Sequence, residues 1–157
     1  MSLVLSLTSC AIVAGVTLTQ AAVTAVSATI AATEKEESQI NQGFETIFAD
    51  SQLLVKTLNN FDCHFQQVDE NQFIVETTCG NLIYKRNSVD EAFRLYLDEI
   101  NDVEGLLENI KSFEIDYGRN VQAYTYDHIK KNLSDNMTIV DDEVLEDDSL
   151  YLTINVE

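Results

Sequence analysis

The sequence predicts an α+β fold, in which an apolar N-terminal helix precedes an antiparallel-sheet domain with two or three helices. Three observations lead to this prediction. First, every charged residue lies between Glu34 and Glu157, so residues 1–33 form a segment apart. Second, short central segments alternate apolar and polar residues, which is the spacing of half-buried strands. Third, the segments beside them repeat apolar residues every three or four positions, as amphipathic helices do.

The uncharged segment is long enough to span a membrane as a helix. About 20 residues cross a hydrocarbon core of roughly 30 Å, and the stretch from Leu3 to Ala21 has that length. Small residues recur every three or four positions, and such a face lets helices approach closely in a membrane or in an assembly. We therefore predict an apolar helix over residues 1–33, with the anchoring or helix-packing residues Ala11, Gly15, Leu18, Ala22 and Ala25.

Other interpretations of residues 1–33 remain open. The segment would also suit a buried or self-associating helix, or a targeting peptide that is removed. Leu7-Thr8-Ser9 before Cys10 has the residue types that precede a lipidated bacterial cysteine, and a lipid there would be a membrane anchor. No lysine or arginine precedes Cys10, whereas secretory signals usually begin with basic residues. A polar connector is predicted over residues 34–42, and an acidic α+β domain over residues 43–157.

The first half of the acidic domain is predicted to be a strand meander with one helix. Alternation over Gly43–Phe48 predicts a short strand, and Asp50 is positioned to cap a helix whose apolar side runs from Leu53 to Leu58. Tight turns are predicted to join the strands that follow. These strands are predicted over residues 61–65, 73–77, 82–86 and 93–97, with Phe61, Phe65, Phe73 and Val75 in the core.

The second half of the acidic domain is predicted to contain helices and a final hairpin. A cap at Asn101 or Asp102 begins a helix, which Gly118 is predicted to interrupt or end. Another helical stripe follows over residues 121–133. The last residues alternate as paired strands do. The hairpin is predicted to consist of residues 137–140, a turn at residues 146–149, and residues 150–156.

Short patterns in this domain resemble those of a known family. An opening strand reads Phe44-Glu45-Thr46-Ile47, Leu53-Leu54 lies in the first helix, and Asp148-Ser149-Leu150-Tyr151-Leu152 lies near the end. From about Phe44 to Val156, or about 70% of the chain, the order of elements resembles a family of conserved hypothetical proteins of cyanobacteria, algal plastids and other bacteria. Its members often have Asp-Gly where this chain has Asp148-Ser149. The resemblance implies a small α+β domain of unknown function and supplies no catalytic residue.

The sequence predicts neither a catalytic site nor a cofactor or metal site. It lacks GxSxG, P-loop and GxGxxG motifs. Cys63, His64, Cys79 and His128 lack the spacing of zinc ligands. Cys63 and Cys79 could meet across a hairpin as a disulfide, whereas an odd count of three cysteines suits reduced thiols in a reducing compartment. A hydrolase that uses one of these two thiols is the least favoured interpretation.

The charge of the chain restricts its partners. A net charge of −18 excludes an ordinary basic groove for nucleic acid, so no direct nucleic acid binding is expected. Six carboxylates cluster within residues 141–148. One interpretation of this run is a solvated hairpin turn that keeps the protein soluble. The other interpretations are a docking site for a basic partner, weak binding of a divalent cation, and mimicry of nucleic-acid charge. The predicted partner-binding residues are Asp141, Asp142, Glu143, Glu146, Asp147 and Asp148.

These patterns together predict a non-enzymatic interaction or scaffold protein. Its acidic domain would be attached to a membrane or an assembly by the N-terminal helix, with a basic protein or a second copy as partner. This interpretation places it at a membrane, with the acidic domain in a reducing compartment. The alternative is a soluble acidic inhibitor or adaptor of a basic protein, in some cases a nucleic-acid mimic, located in the cytoplasm.

Overall fold

The computed structural model describes residues 2–7, 43–61, 63–145 and 149–156. These residues belong to two compact units, which we call the central unit (residues 43–117) and the hairpin unit (residues 2–7 and 118–156). Helices and antiparallel sheets occur together, so the predicted α+β class is confirmed. The elements of the described residues are β1 (Ser2–Leu7), β2 (Phe44–Glu45), α1 (Ser51–Asn60), β3 (His64–Asp69), β4 (Gln72–Thr77), β5 (Gly80–Lys85), β6 (Arg94–Asp98), α2 (Val103–Asn132), β7 (Met137–Val144) and β8 (Leu150–Val156).

The central unit contains the predicted meander as a five-stranded antiparallel sheet in the order β2-β6-β5-β4-β3. The register aligns Phe73 with Tyr84, and Tyr84 with Leu95. Since residues directly opposite one another point to the same face, every second side chain of these three strands forms one apolar surface. The buried residues of this surface are Phe73, Val75, Leu82, Tyr84 and Leu95.

Two helical segments supply the other half of this core. Asp50 begins α1, because its Oδ1 accepts from the backbone N–H groups of Gln52 at 2.7 Å and Leu53 at 3.0 Å. The Phe48 ring contacts both Tyr84 and Tyr117 edge to face, at centroid distances of 5.1 and 4.8 Å. The sheet and the first half of α2 therefore share a core. The stripe of α2 that is buried has helical spacing and consists of Leu106, Ile110, Phe113 and Tyr117.

A buried arginine ties together three loops of the central unit. The Nη1 group of Arg86 donates to the carbonyl oxygens of Ala49 at 2.7 Å and Val89 at 3.1 Å, and Nη2 donates to that of Glu70 at 3.3 Å. Its Nε donates to the side chain of Asn71 at 3.0 Å. These oxygens satisfy a charge that burial would otherwise penalise heavily.

The hairpin unit contains a three-stranded antiparallel sheet in the order β1-β8-β7. The central strand β8 pairs with β7 as predicted, and the backbone N–H of Leu145 donates to the carbonyl of Ser149 at 2.8 Å to close the hairpin. One face of β8 is buried at Leu152 and Ile154. The hairpin prediction is therefore confirmed in its pairing.

The predicted N-terminal helix is wrong for residues 2–7. These residues form β1, in which Ser2 lies opposite Asn155 and Leu7 opposite Leu150. The sequence Ser-Leu-Val-Leu-Ser-Leu places leucine at every second position, which is the period of a strand rather than a helix. Residues 8–33, with the predicted packing residues Ala11, Gly15, Leu18, Ala22 and Ala25, lie outside the described residues, as does the predicted connector over residues 34–42.

The prediction that Gly118 interrupts a helix is also wrong, since α2 continues through it to Asn132. Asp102 caps its start, because Oδ1 accepts from the N–H of Gly105 at 3.2 Å. A single glycine in a helix interior costs only about 1 kcal/mol relative to alanine, which the other residues of a long helix outweigh. The residues described here therefore contain two helices.

Phe61 corrects the predicted start of the meander. It follows α1 and is 39% exposed, with its ring against Phe113 at 4.8 Å, and β3 begins only at His64. Phe65 is half-buried. Phe73 and Val75 are fully buried, so their predicted place in the core is confirmed.

Candidate functional site

Half of the acidic run lies in a strand and not in the predicted hairpin turn. Strand β7 extends to Val144, so Asp141, Asp142 and Glu143 pair with residues of β8. Aspartate has a low intrinsic strand propensity, but pairing with the apolar strand β8 overrides it. The other predicted partner-binding residues, Glu146, Asp147 and Asp148, lie outside the described residues.

A β-bulge decides which acidic residue faces which side of this sheet. Ile139 lies opposite Ile154 and Asp141 lies opposite Thr153, so Val140 is an extra residue in β7. As a result, Asp142 is opposite the buried Leu152 and shares its face. Asp141 and Glu143 lie on the other face, opposite Thr153 and Tyr151.

Asp142 is held by a tyrosine of α2. The Tyr126 hydroxyl donates to Asp142 Oδ2 at 2.7 Å. This hydrogen bond raises the pKa of Tyr126, and desolvation and the negative charges of Asp142 and Asp127 raise it further. The Lys130 Nζ lies 5.9 Å from the centre of the Tyr126 ring, within the range of a cation–π contact.

A groove runs between α2 and β7 within the hairpin unit. Its volume is about 540 Å³, a size that accommodates a few side chains of a ligand. It is lined by residues from both faces of β7, which places it along the edge of the strand. The lining is apolar at Leu133, Met137, Ile139 and Val140, and polar at Tyr126, Lys130, Thr138, Asp141 and Asp142.

Strand β7 is an edge strand in the described part of the chain, because it pairs with β8 on one side only. Several of its side chains are exposed to solvent. Val140 is 58% and Val144 66% exposed, and Asp141 and Glu143 are also exposed. The edge of β7 that faces away from β8 is therefore apolar and acidic, its backbone groups pair with no strand of the described residues, and a groove lies beside it.

Comparison of the chain with protein-family models, curated proteins and solved structures found no match. The family resemblance over Phe44 to Val156 therefore stays a prediction. Among the described residues, no helix is both long and apolar enough to cross a membrane.

The cysteines and histidines that were considered as metal ligands or nucleophiles do not form a common site in the described residues. Cys63 and Cys79 are not joined by a disulfide. His64 lies at the surface, with Nε2 4.0 Å from Glu76 Oε2, and His128 stacks on Tyr124 in the hairpin unit. Within the parts of the chain that the structure describes, no group of three His, Cys, Asp or Glu residues could hold a metal ion.

The central unit contains a polar cluster that the sequence analysis missed. The Tyr84 hydroxyl is buried in the core without a hydrogen-bond partner. Burial raises its pKa, and the nearby charges of Glu114 and Cys63 raise it further. Burial also raises the pKa of Glu114 to about 7. Glu114 follows Ile110 by four residues, so its place beside the buried stripe of α2 was a signal in the sequence.

Glu114 of this cluster can gain or lose a proton near neutral pH, because its pKa is about 7. The cluster is nevertheless a poor candidate for a catalytic or binding site. Glu114 is only half-buried, and the pKa of Tyr84 is shifted away from the range in which a phenol would act as a base. The groove beside β7 is therefore the better candidate for a site that acts on other molecules.

Proposed function

We propose that the protein is a non-enzymatic interaction protein, whose hairpin unit binds a basic segment of a partner protein along β7. The observation that carries this proposal is the groove beside an acidic edge strand. A solvated turn needs only charge, whereas β7 combines exposed carboxylates with exposed apolar side chains and with backbone groups that pair with no other strand in the part of the chain that the structure describes. These are the three kinds of contact that peptide recognition uses.

The charge of the protein supports a basic partner. Asp141 and Glu143 are exposed on one face of β7, and the chain carries a net charge of −18. Such a field attracts cations over distances of about 8–10 Å at moderate salt and speeds their association. Each exposed ion pair contributes only about 0.2–1 kcal/mol, so the carboxylates provide selectivity and rate more than affinity.

Strand β1 belongs to the same sheet as the proposed site, because Ser2–Leu7 pair with β8. Attachment of the protein to a membrane or an assembly through residues 8–33 stays a prediction, and so does its location in the cell.

The test is binding of the full-length protein to a defined basic peptide. A fluorescein-labelled peptide that alternates lysine and valine would be titrated with the protein, and its anisotropy followed between about 0.05 and 0.3 M salt. The double variant Asp141→Asn, Glu143→Gln should bind about fivefold more weakly at low salt, since two exposed ion pairs are lost.

The matched control removes the same charge elsewhere. Asp90 and Glu91 are exposed in the loop between β5 and β6 of the central unit. The variant Asp90→Asn, Glu91→Gln should bind the peptide within about twofold of the native protein, because only the long-range field changes. Equal weakening by the two double variants would show that the peptide responds to net charge alone, and would contradict a site at β7.

A further inference from the structure

We infer that the basic segment binds as an added β-strand, with its backbone on the free edge of β7, its basic side chains beside Asp141 and Glu143, and its apolar side chains in the groove. This inference rests on the proposed function and specifies the form of the partner. It replaces a general attraction between charges by an ordered pairing of backbones.

The length and position of β7 suit strand addition. The strand has eight residues, which correspond to about 27 Å of extended chain. In the described residues it pairs with β8 alone, so alternate N–H and C=O groups along the other side are available to a further strand. Peptides that add to a sheet edge gain affinity from these backbone groups and specificity from alternate side chains.

The charges on β7 select the class of strand that can be added. Asp141 and Glu143 are two residues apart on one face, so they meet alternate side chains of a neighbouring strand. Lysine or arginine at those positions would be paired with opposite charges, and such cross-strand pairs are favourable. A second copy of β7 would place carboxylates next to carboxylates, which disfavours self-pairing.

On the other face of β7, apolar side chains of the added strand are favoured. Met137 and Ile139 lie on this face and line the groove together with Leu133, and Lys130 contributes a positive charge that would repel further basic groups. The carboxylate of Asp142 is already engaged by the Tyr126 hydroxyl. The expected partner is therefore an amphipathic strand in which basic and apolar residues alternate.

The bulge at Val140 is consistent with this selectivity. Bulges and charged residues on edge strands prevent unspecific pairing. Here they leave a regular stretch from Asp141 to Val144, in which the register with β8 is continuous. We expect the added strand to pair regularly with this stretch and to continue past the bulge to Ile139 and Met137, which line the groove.

The test uses the full-length protein and two backbone-methylated forms of the lysine–valine peptide. In one form every lysine nitrogen is methylated, and in the other every valine nitrogen. An added strand directs alternate N–H groups toward β7, so one form should bind at least tenfold more weakly than the unmethylated peptide. The other form should bind within about threefold, because its methyl groups point to solvent.

The outcomes separate this inference from the proposed function. If both methylated peptides bind equally, whether tightly or weakly, strand addition is overturned, while tight binding of the unmethylated peptide that depends on Asp141 and Glu143 still supports the proposed site. If the unmethylated peptide does not bind, both fail. Amide hydrogen exchange gives a second readout, in which alternate amides of β7 should become protected, and protection confined to α2 would also overturn the inference.

Discussion

Glu114 shows how a single residue links the pH of the solution to the stability of the central unit. Burial raises its pKa from the usual 4.5 to about 7, so folding favours the protonated carboxyl. The stability from this group is complete below the pKa of the unfolded chain and is lost as the pH rises through 7. Glu114→Gln should remove this loss and stabilise the protein by about 2 kcal/mol at pH 8, after allowance for partial exposure.

Urea denaturation at about pH 5 and pH 8 measures this effect through the linkage between protonation and folding. Glu108, an exposed glutamate of the same helix, provides the control. Glu108→Gln should leave the pH dependence of the native protein unchanged. If Glu114→Gln keeps that dependence as well, the acidic surface as a whole and not this carboxyl is responsible.

Two phenylalanines that were predicted to be equivalent should differ in their contribution to stability. Phe73 is fully buried on β4, whereas Phe61 is 39% exposed after α1. Phe73→Ala should lower the free energy of unfolding by about 3 kcal/mol, because it leaves a cavity in the core. Phe61→Ala should lower it by about 1 kcal/mol, mainly through the lost ring contact with Phe113. Denaturant unfolding of both variants measures the difference, and equal losses would contradict the assigned register.

At the scale of the element, the bulge in β7 determines which aspartate affects the pKa of Tyr126. Asp142→Asn removes the charged acceptor of the Tyr126 hydroxyl, so the pKa of Tyr126 should fall toward its ordinary value. Asp141→Asn should leave this pKa nearly unchanged, because Asp141 lies on the other face of the strand. An NMR titration of ring-labelled tyrosine distinguishes the two variants. A larger response to Asp141→Asn would mean that the bulge is misplaced.

Elements that are specified by nearby residues were predicted well. The cap at Asp50 and the alternation in β4 and β5 are local signals, and the structure contains both. Elements that depend on distant pairing were not. Strand β1 has the period-two leucines of a strand, but it lies in a long uncharged segment that also suits a helix, and its pairing with the distant β8 decides between the two.

The candidate site was predicted only in part for the same reason. The acidic residues Asp141, Asp142 and Glu143 stand out by their charge, but their arrangement depends on the register with β8. No local pattern marks the bulge at Val140 or the approach of Tyr126 from α2. The composition of the site was therefore readable from the sequence, while its faces and its groove required the tertiary structure.

At the scale of the whole molecule, we expect strand β1 to stabilise strand β8, which is distant in sequence. Deleting residues 2–7 removes β1 and leaves β8 with a single neighbour. Amide hydrogen exchange in β8 should then accelerate at least about tenfold, because local opening becomes easier. Amides of β4 and β5 in the central unit should exchange at their former rates and serve as the internal control. Unchanged exchange in β8 would contradict the pairing of β1 with β8.

The pairing of β1 with β8 also imposes an order on synthesis. The central unit is a continuous stretch of chain, so its sheet can form while later residues are still being added. The sheet of the hairpin unit places Ser2 opposite Asn155, so it is incomplete until β8 has been synthesised. At about 5–20 residues per second, the first strand waits on the order of ten seconds for its partner. During that interval β1 lacks the strand with which it pairs, and we expect nascent chains to depend on a chaperone at residues 2–7.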